Sequence, residues 1–124
     1  SLIHPDVHLY KNTKIDNGSI IFSNSQIGYK VVIGQNSLIS FGVDIGHHVK
    51  INQNCTILPN TTIGGYVKIG KRCLLGSGTN ILPKVTINEN CVIGIGSTII
   101  KNVKKNQMIL VNQRQIILPR KSEI

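Results

Sequence analysis

The chain has 124 residues, 40% hydrophobic and 15% charged, enough for one compact domain, too few for two independent cores, and too apolar for a disordered tail. Fourteen Lys and Arg against five Asp and Glu leave a net charge of +9, with ten of the fourteen bases from Lys68 onward, a balance that favours an anionic partner. With two Phe, three Tyr and no Trp, stacking platforms for single-stranded nucleic acid are sparse, so a phosphorylated ligand is expected rather than nucleic acid.

The opening SLIHPDVHLYK lacks the basic start and apolar run of a signal peptide. No later stretch reaches the ~20 apolar residues that span a bilayer. The expected location is cytoplasmic, without membrane insertion. Because the first residue is Ser1 rather than Met, the chain reads as a processed product or an excised fragment of something longer.

From position 3 to position 99 every sixth residue is Ile, except Leu9 and Leu75, which makes seventeen unbroken hexads. Four places after each stands a small or β-branched residue: Val7, Thr13, Ser19, Ser25, Val31, Ser37, Val43, Val49, Cys55, Thr61, Val67, Cys73, Thr79, Val85, Cys91, Ser97 and Val103. Neither a 3.6-residue helix nor a two-sided strand produces this double rule. It fits an all-β, triangular parallel β-solenoid in which each hexad is one flat side and three hexads make one coil. Residues eighteen apart then stack at the ~4.8 Å strand spacing. Seventeen hexads give about five and two-thirds coils, whose aliphatic ladders are buried by neighbouring coils. The predicted domain is therefore a β-helix over 1–103. An extended segment over 104–124 is expected to pack its apolar stretches, Met108 to Leu110 and Ile116 to Leu118, on the last coils or on a neighbouring subunit.

Cys55, Cys73 and Cys91 are eighteen apart and form one inward column. They are expected to be core residues, neither disulfide nor zinc ligands, because a reactive thiolate needs exposure and a lowered pKa. Of the four histidines, His47 and His48 are adjacent, while His4 and His8 lie more than two coils below. That spacing does not converge three imidazoles on a metal, so no metal is expected.

His47 holds the third place of its hexad, an outward corner, in the column Lys11, Tyr29, His47, Gly65, Pro83, Lys101. The glycine one coil above leaves its backbone N–H approachable within one strand spacing of the imidazole. A base near neutrality and a preorganised oxyanion donor are what acyl transfer requires. Spacing alone also accommodates a solvated corner histidine.

The stretch IGHHVKINQNCTILPNTTIGGYVKIG, Ile45 to Gly70, resembles the corresponding part of bacterial sugar O- and N-acyltransferases of the sialic acid O-acetyltransferase and UDP-amino-sugar N-acetyltransferase type. SLIHPDV resembles that family's entry into its β-helix, and the likeness runs to about Val103. The resemblance implies a left-handed parallel β-helix, a homotrimer with each site between two subunits, and acetyl-CoA as co-substrate. It makes His47 the general base and Gly65 the amide that binds the thioester carbonyl oxygen. Gly76-Ser77-Gly78 and Gly94-Ile95-Gly96, eighteen apart at a second corner, resemble the family's surface for the pantetheine of coenzyme A; corner glycines of purely structural origin fit the same pattern. His48, Ser40 and Thr56 stand where the family has an acidic residue, an Asn and a substrate-contacting His, and they are the candidate acceptor-binding residues. Val111-Asn112-Gln113-Arg114 stands where relatives close with G-x-P-A.

The implied activity is direct acetyl transfer from acetyl-CoA to an amino or hydroxyl group of a nucleotide sugar or polysaccharide sugar, without an acyl-enzyme. A non-catalytic β-helical trimerisation or scaffold module is the alternative. The basic column Lys14, Lys50, Lys68, Lys104 is the feature a nucleic-acid ligand would need, and its signature would be a steep salt dependence.

Overall fold

The computed structural model describes residues 1–121; the last three residues of the expected C-terminal segment, 122–124, lie outside the described residues. Each hexad folds as a two-residue strand followed by a corner, and the described residues contain strands and no helix. Eighteen strands form three parallel sheets of seven, six and five, about six coils at three strands each. Partners lie eighteen residues apart, as in Thr56–Ile57 paired with Leu38–Ile39 below and Leu74–Leu75 above. Parallel neighbours need a long return connection, and here the rest of the coil supplies it.

The inward ladder is as the hexads predict. Eleven isoleucines and Leu75, from Ile21 to Ile93, are the largest fully buried side chains. Isoleucine suits the task because its branched Cβ favours strands, and each buried aliphatic contributes about 1.5–3 kcal/mol. In the first described coil Ile3 and Leu9 are 37% and 43% exposed. The small residues fit because their side chains turn into the corner beside the next coil's backbone. There Ser25 Oγ donates to the Ser40 carbonyl at 2.8 Å and Ser19 Oγ to that of Gly34 at 2.9 Å. Among the described residues no buried side-chain polar atom lacks a partner.

At most corners the fourth residue of the hexad adopts positive φ, from 54° to 78°. Gly and Asn fill this place at eleven positions, including Gly78 and Gly96, as expected for a left-handed conformation that costs other residues about 1–2 kcal/mol. Five bulkier residues also occupy it: Lys30, His48, Tyr66, Arg72 and Lys84. Four of these, Lys30, His48, Tyr66 and Lys84, are eighteen apart in a single column.

The three outer faces differ. The seven-stranded sheet presents Leu2, Ile20, Leu38, Thr56, Leu74, Val92 and Met108 outward; the six-stranded sheet presents His8, Gln26, Asp44, Thr62, Asn80 and Thr98; the five-stranded sheet presents Lys14, Val32, Lys50, Lys68 and Thr86. One face is apolar, one polar and one basic.

The last coil corrects two expectations. Val103 bridges Ile87, and Met108–Ile109 pairs with Val92–Ile93, so the final turn is two residues short. Val103 is therefore an inward ladder residue rather than a corner one, with Asn102 Oδ1 accepting the Thr86 N–H at 2.8 Å. Lys104 consequently leaves the column of Lys14, Lys50 and Lys68, and lines a groove at another corner with Lys71, Glu89 and Lys105. Ile109 packs against the core. Ile116, Ile117 and Leu118 form no strand and are 81%, 91% and 76% exposed, so they do not pack on the last coils.

Ile63→Ala, in mid-ladder, should destabilise by about 2–5 kcal/mol and Ile3→Ala by less than about 1 kcal/mol, read from denaturant midpoints at constant m. Equal losses would contradict a core that is continuous only through the stacked coils.

Candidate functional site

His47 and His48 sit at the corner between the six-stranded and five-stranded sheets. Asp44–Ile45 ends one side and Lys50–Ile51 begins the next. The His48 N–H donates to the Tyr29 carbonyl at 2.8 Å and the Tyr66 N–H to the His47 carbonyl at 2.9 Å, which pins both histidines to the coils below and above. Their rings meet edge to face, with Nδ1 of His47 and Nδ1 of His48 3.1 Å apart. Two imidazole nitrogens at that distance share one proton. Where His47 donates it, His47 Nε2 carries the free lone pair.

That nitrogen faces Gly65. A Cβ on Gly65 would stand 2.8 Å from His47 Nε2 and 3.0 Å from its Cε1, so the imidazole occupies space a side chain would need. Gly65 does not have positive φ; its value lies in room, not in conformational freedom. Its carbonyl accepts the Lys84 N–H at 2.9 Å, whereas its own N–H has no acceptor among the described residues. Other third-place amides are equally free, but Gly65 offers one without a side chain over it.

Aromatic rings enclose the pair. Tyr66 stacks on His48 at 4.7 Å and 11° and meets His47 edge-on at 5.2 Å; Tyr29 meets His48 edge-on at 5.7 Å. Tyr66 is a residue that reading the sequence for third-place chemistry misses. The signal for it lies one place further along each hexad, where Lys30, His48, Tyr66 and Lys84 interrupt a run of Asn and Gly. Strained backbone conformations concentrate at functional sites. A cavity of about 300 Å³ opens on one side of His47, between Tyr10, Gln26, Tyr29 and Asp44. A second, of about 500 Å³, is lined by Tyr66, Lys68, Lys84 and Thr86, and Tyr66 is the residue that touches both histidines.

The other expected site residues lie elsewhere on this chain. Gly76-Ser77-Gly78 and Gly94-Ile95-Gly96 stack at the next corner, where the Gly96 N–H donates to the Ser77 carbonyl at 2.9 Å. A Cβ on Gly76 would lie 2.7 Å from the Ile95 nitrogen, whereas one on Gly78 would meet nothing within 4 Å. Gly76 is therefore required by coil packing, and Gly78 borders open space. Ser40 is at that same corner and buried, and Thr56 points outward from the seven-stranded sheet. Within one chain neither approaches His47 as His48 does.

The three cysteines are free and buried. Sγ of Cys55, Cys73 and Cys91 each donates at 3.1 Å to a carbonyl, those of Gly70, Asn88 and Lys104 respectively. The Cys73 thiol is pushed well up by its contact with the Cys55 thiol and by burial, and burial raises Cys91 as well. His4 Nδ1 pairs with Asp6 Oδ1 at 2.8 Å, and His8 packs against Tyr10. Among the described residues no three His, Cys, Asp or Glu side chains gather as metal ligands would.

With this geometry in hand, comparison places the chain among known proteins. The family model described as the GMPPB C-terminal domain matches residues 17–123. The chain belongs to that family. No curated protein matches it. Among solved structures it is similar to GDP-perosamine N-acetyltransferase from Caulobacter crescentus in complex with CoA and GDP-perosamine, at 22% identity and TM-score 0.83 over 86% of this chain and 50% of that one. It is also similar to the acetyltransferase domain of PglB from Neisseria gonorrhoeae in complex with acetyl coenzyme A, at 19% and 0.84 over 86% and 52%. A third likeness is to a variant of AntD, an N-acyltransferase from Bacillus cereus in complex with dTDP and coenzyme A, at 18% and 0.82 over 96% and 81%. The chain spans about half the length of the first two. At these identities the likeness is one of fold: the GMPPB C-terminal domain family member shares its β-helix with sugar N-acyltransferases.

Gly65→Ala should keep a near-native thermal midpoint, because φ is ordinary and the crowding falls on an exposed ring that can rotate. It should also displace His47, visible as shifted imidazole resonances of His47 and His48. A fall in midpoint of ten degrees or more would make Gly65 a folding residue instead.

Proposed function

We propose that the domain transfers an acetyl group from acetyl-CoA to an amino or hydroxyl group of a sugar, with His47 as general base. The observation that carries this reading is the His47 imidazole lying against Gly65, with Nδ1 held by His48 and Nε2 in the space a Gly65 side chain would fill. Base and oxyanion donor thus stand within one coil spacing, on a rigid ladder.

In the proposed reaction His47 donates through Nδ1–H to His48, and its Nε2 takes the proton from the acceptor. The acceptor nitrogen or oxygen forms a bond to the thioester carbonyl carbon, and the oxygen gathers charge toward the Gly65 N–H. Collapse breaks the C–S bond, and the coenzyme A thiolate takes the proton from the His47 imidazolium. No acyl-enzyme forms, since the three thiols are buried away from this corner. His48 replaces the acidic residue of the resembled family. It can fix the ring through the shared proton, but as a neutral imidazole it stabilises the imidazolium less than a carboxylate would. The CoA and nucleotide-sugar complexes of the structural neighbours support the choice of co-substrate and acceptor class, and a cytoplasmic location accompanies it.

The working unit in this reading is a homotrimer. The outward column Leu2, Ile20, Leu38, Leu74, Val92 and Met108 makes an apolar face that a second copy would cover. A threefold ring uses head-to-tail contacts, so the apolar face of one subunit would meet a different part of the next. Were that part the His47 corner, Thr56 from the apolar sheet and Ser40, Gly78 and Gly96 from its edge would reach the imidazole from the neighbour. That packing is how residues separated within one chain would come to share one site.

The match to a family described as a C-terminal domain, together with the apolar face, favours a second reading: an assembly module that does no chemistry itself. Two measurements separate them. His47→Ala should lower kcat for acetyl transfer by ~10²- to 10⁴-fold with the oligomer intact, and His48→Ala by about tenfold, the scale of one orienting hydrogen bond. Unchanged turnover in His47→Ala would end the mechanism and leave the assembly module. Leu38→Glu with Leu74→Glu should convert a particle of three 13.6 kDa chains to monomers in light scattering; a persisting trimer would move the interface to another face.

A further inference from the structure

The cavity on the basic side of the histidine pair has a construction the acyl-transfer chemistry alone does not explain. Its lining is Tyr66, Lys68, Lys84 and Thr86, around about 500 Å³. Tyr66, one of the lining residues, stacks on His48 with the two rings nearly parallel. Lys68 and Thr86 are registered partners on adjacent strands of the basic sheet, and Lys68 is also registered on Lys50. Stacking two lysines side by side on one face is unfavourable. Ion pairs among the described residues involve only His4 with Asp6, and Lys71 and Arg72 with Glu89, so neither Lys68 nor Lys84 is neutralised.

Lys84 carries a second cost. It adopts φ of 67° at a place where Asn or Gly usually stands, two coils above His48 in the same column. Two coils at the strand spacing put it about 10 Å from the histidine pair. Thr86 adds a hydroxyl to the same lining. Two unpaired cations and a hydroxyl around an open cavity, beside an exposed aromatic face, suit a doubly charged, oxygen-rich anion. The length to the imidazole suits one whose neighbouring group, a sugar ring or a thioester arm, must reach the base.

We propose that the groove of Tyr66, Lys68, Lys84 and Thr86 binds a diphosphate, with Lys68 and Lys84 on its oxygens and Tyr66 against the adjoining group. This deepens the acyl-transfer reading and rests on it for the identity of the reacting centre. A diphosphate can come from a nucleotide-sugar acceptor or from coenzyme A, and the experiment separates the two.

The test is calorimetric titration of the full chain with inorganic pyrophosphate at 50 mM and 150 mM salt. Lys68→Gln and Lys84→Gln should each weaken binding about three- to tenfold, and the double variant at least about tenfold, while Lys14→Gln, three coils from Lys68 on the same face, should leave it unchanged. An equal loss in Lys14→Gln, or none in the double variant, would overturn the proposal. Coenzyme A, pantetheine and a UDP-sugar then identify the source. Weaker coenzyme A binding in the double variant with pantetheine unaffected assigns the groove to the coenzyme, and weaker UDP-sugar binding with coenzyme A unaffected assigns it to the acceptor; either supports the groove. Pyrophosphate binding requires no turnover. Binding lost in the double variant, in a protein that transfers no acetyl group, would retain the groove and remove the acyltransferase reading, whereas transfer with no pyrophosphate binding would do the reverse.

Discussion

The eighteen-residue register of parallel strands is the constraint on which everything else in this protein depends. Because each coil lies directly on the one before, every place in the hexad becomes a column, and each column has one environment from end to end. The inward column takes Ile at nearly every level because a branched aliphatic fills the prism and suits a strand. The small column takes Val, Ser, Thr or Cys because its side chain turns into a corner against the next coil's carbonyl. No single contact holds the fold; each coil is stabilised by being covered on both sides.

Regularity of this kind makes exceptions informative. The fourth place of the hexad is a left-handed turn that Asn and Gly fill at low cost. Lys30, His48, Tyr66 and Lys84 break that economy at consecutive levels of one corner, each at about 1–2 kcal/mol by general experience. Arg72 is the one other exception, and it is accompanied by an ion pair to Glu89. Four successive strained residues on the corner that also carries His47 and Gly65 point to selection for what their side chains do there. The same column supplies the imidazole that holds His47, the ring that stacks on it and one lysine of the basic groove.

Much of this was legible in the residues alone. Periodicity gave the solenoid, the coil length, the inward column, the buried cysteines and the juxtaposition of His47 with Gly65, because each follows from counting by six and eighteen. The apolar face of Leu2, Ile20, Leu38, Leu74 and Val92 and the fourth-place column yield to the same counting. What counting could not give depends on torsions or on irregularity. The Nδ1 contact between His47 and His48 is set by two side-chain rotations, and adjacent residues in a corner need not meet. The short last coil follows from Val103 entering the ladder two residues early; Lys105 falls where the hexad calls for an aliphatic, and burying Val103 is favoured over burying a lysine. Lys104 is displaced with it, which dissolves the four-lysine column.

The division of the prism into an apolar, a polar and a basic face constrains how a site could work. A β-helix has no interior room for a ligand, since the aliphatic ladder fills it; binding must occur on edges and faces. An exposed corner alone does not exclude water, and acyl transfer gains from donors acting in a dry, low-dielectric site. The acyl-transfer reading therefore asks for another surface to close over the His47 corner, and the apolar face is the surface proposed for it. If a neighbouring subunit brings it there, the basic face remains open to solvent on the far side of Tyr66. Charged ligands could then enter along Lys50, Lys68 and Lys84 while the reacting carbonyl is enclosed. In that arrangement the net charge of +9 serves the approach of an anion to the corner that holds the two histidines.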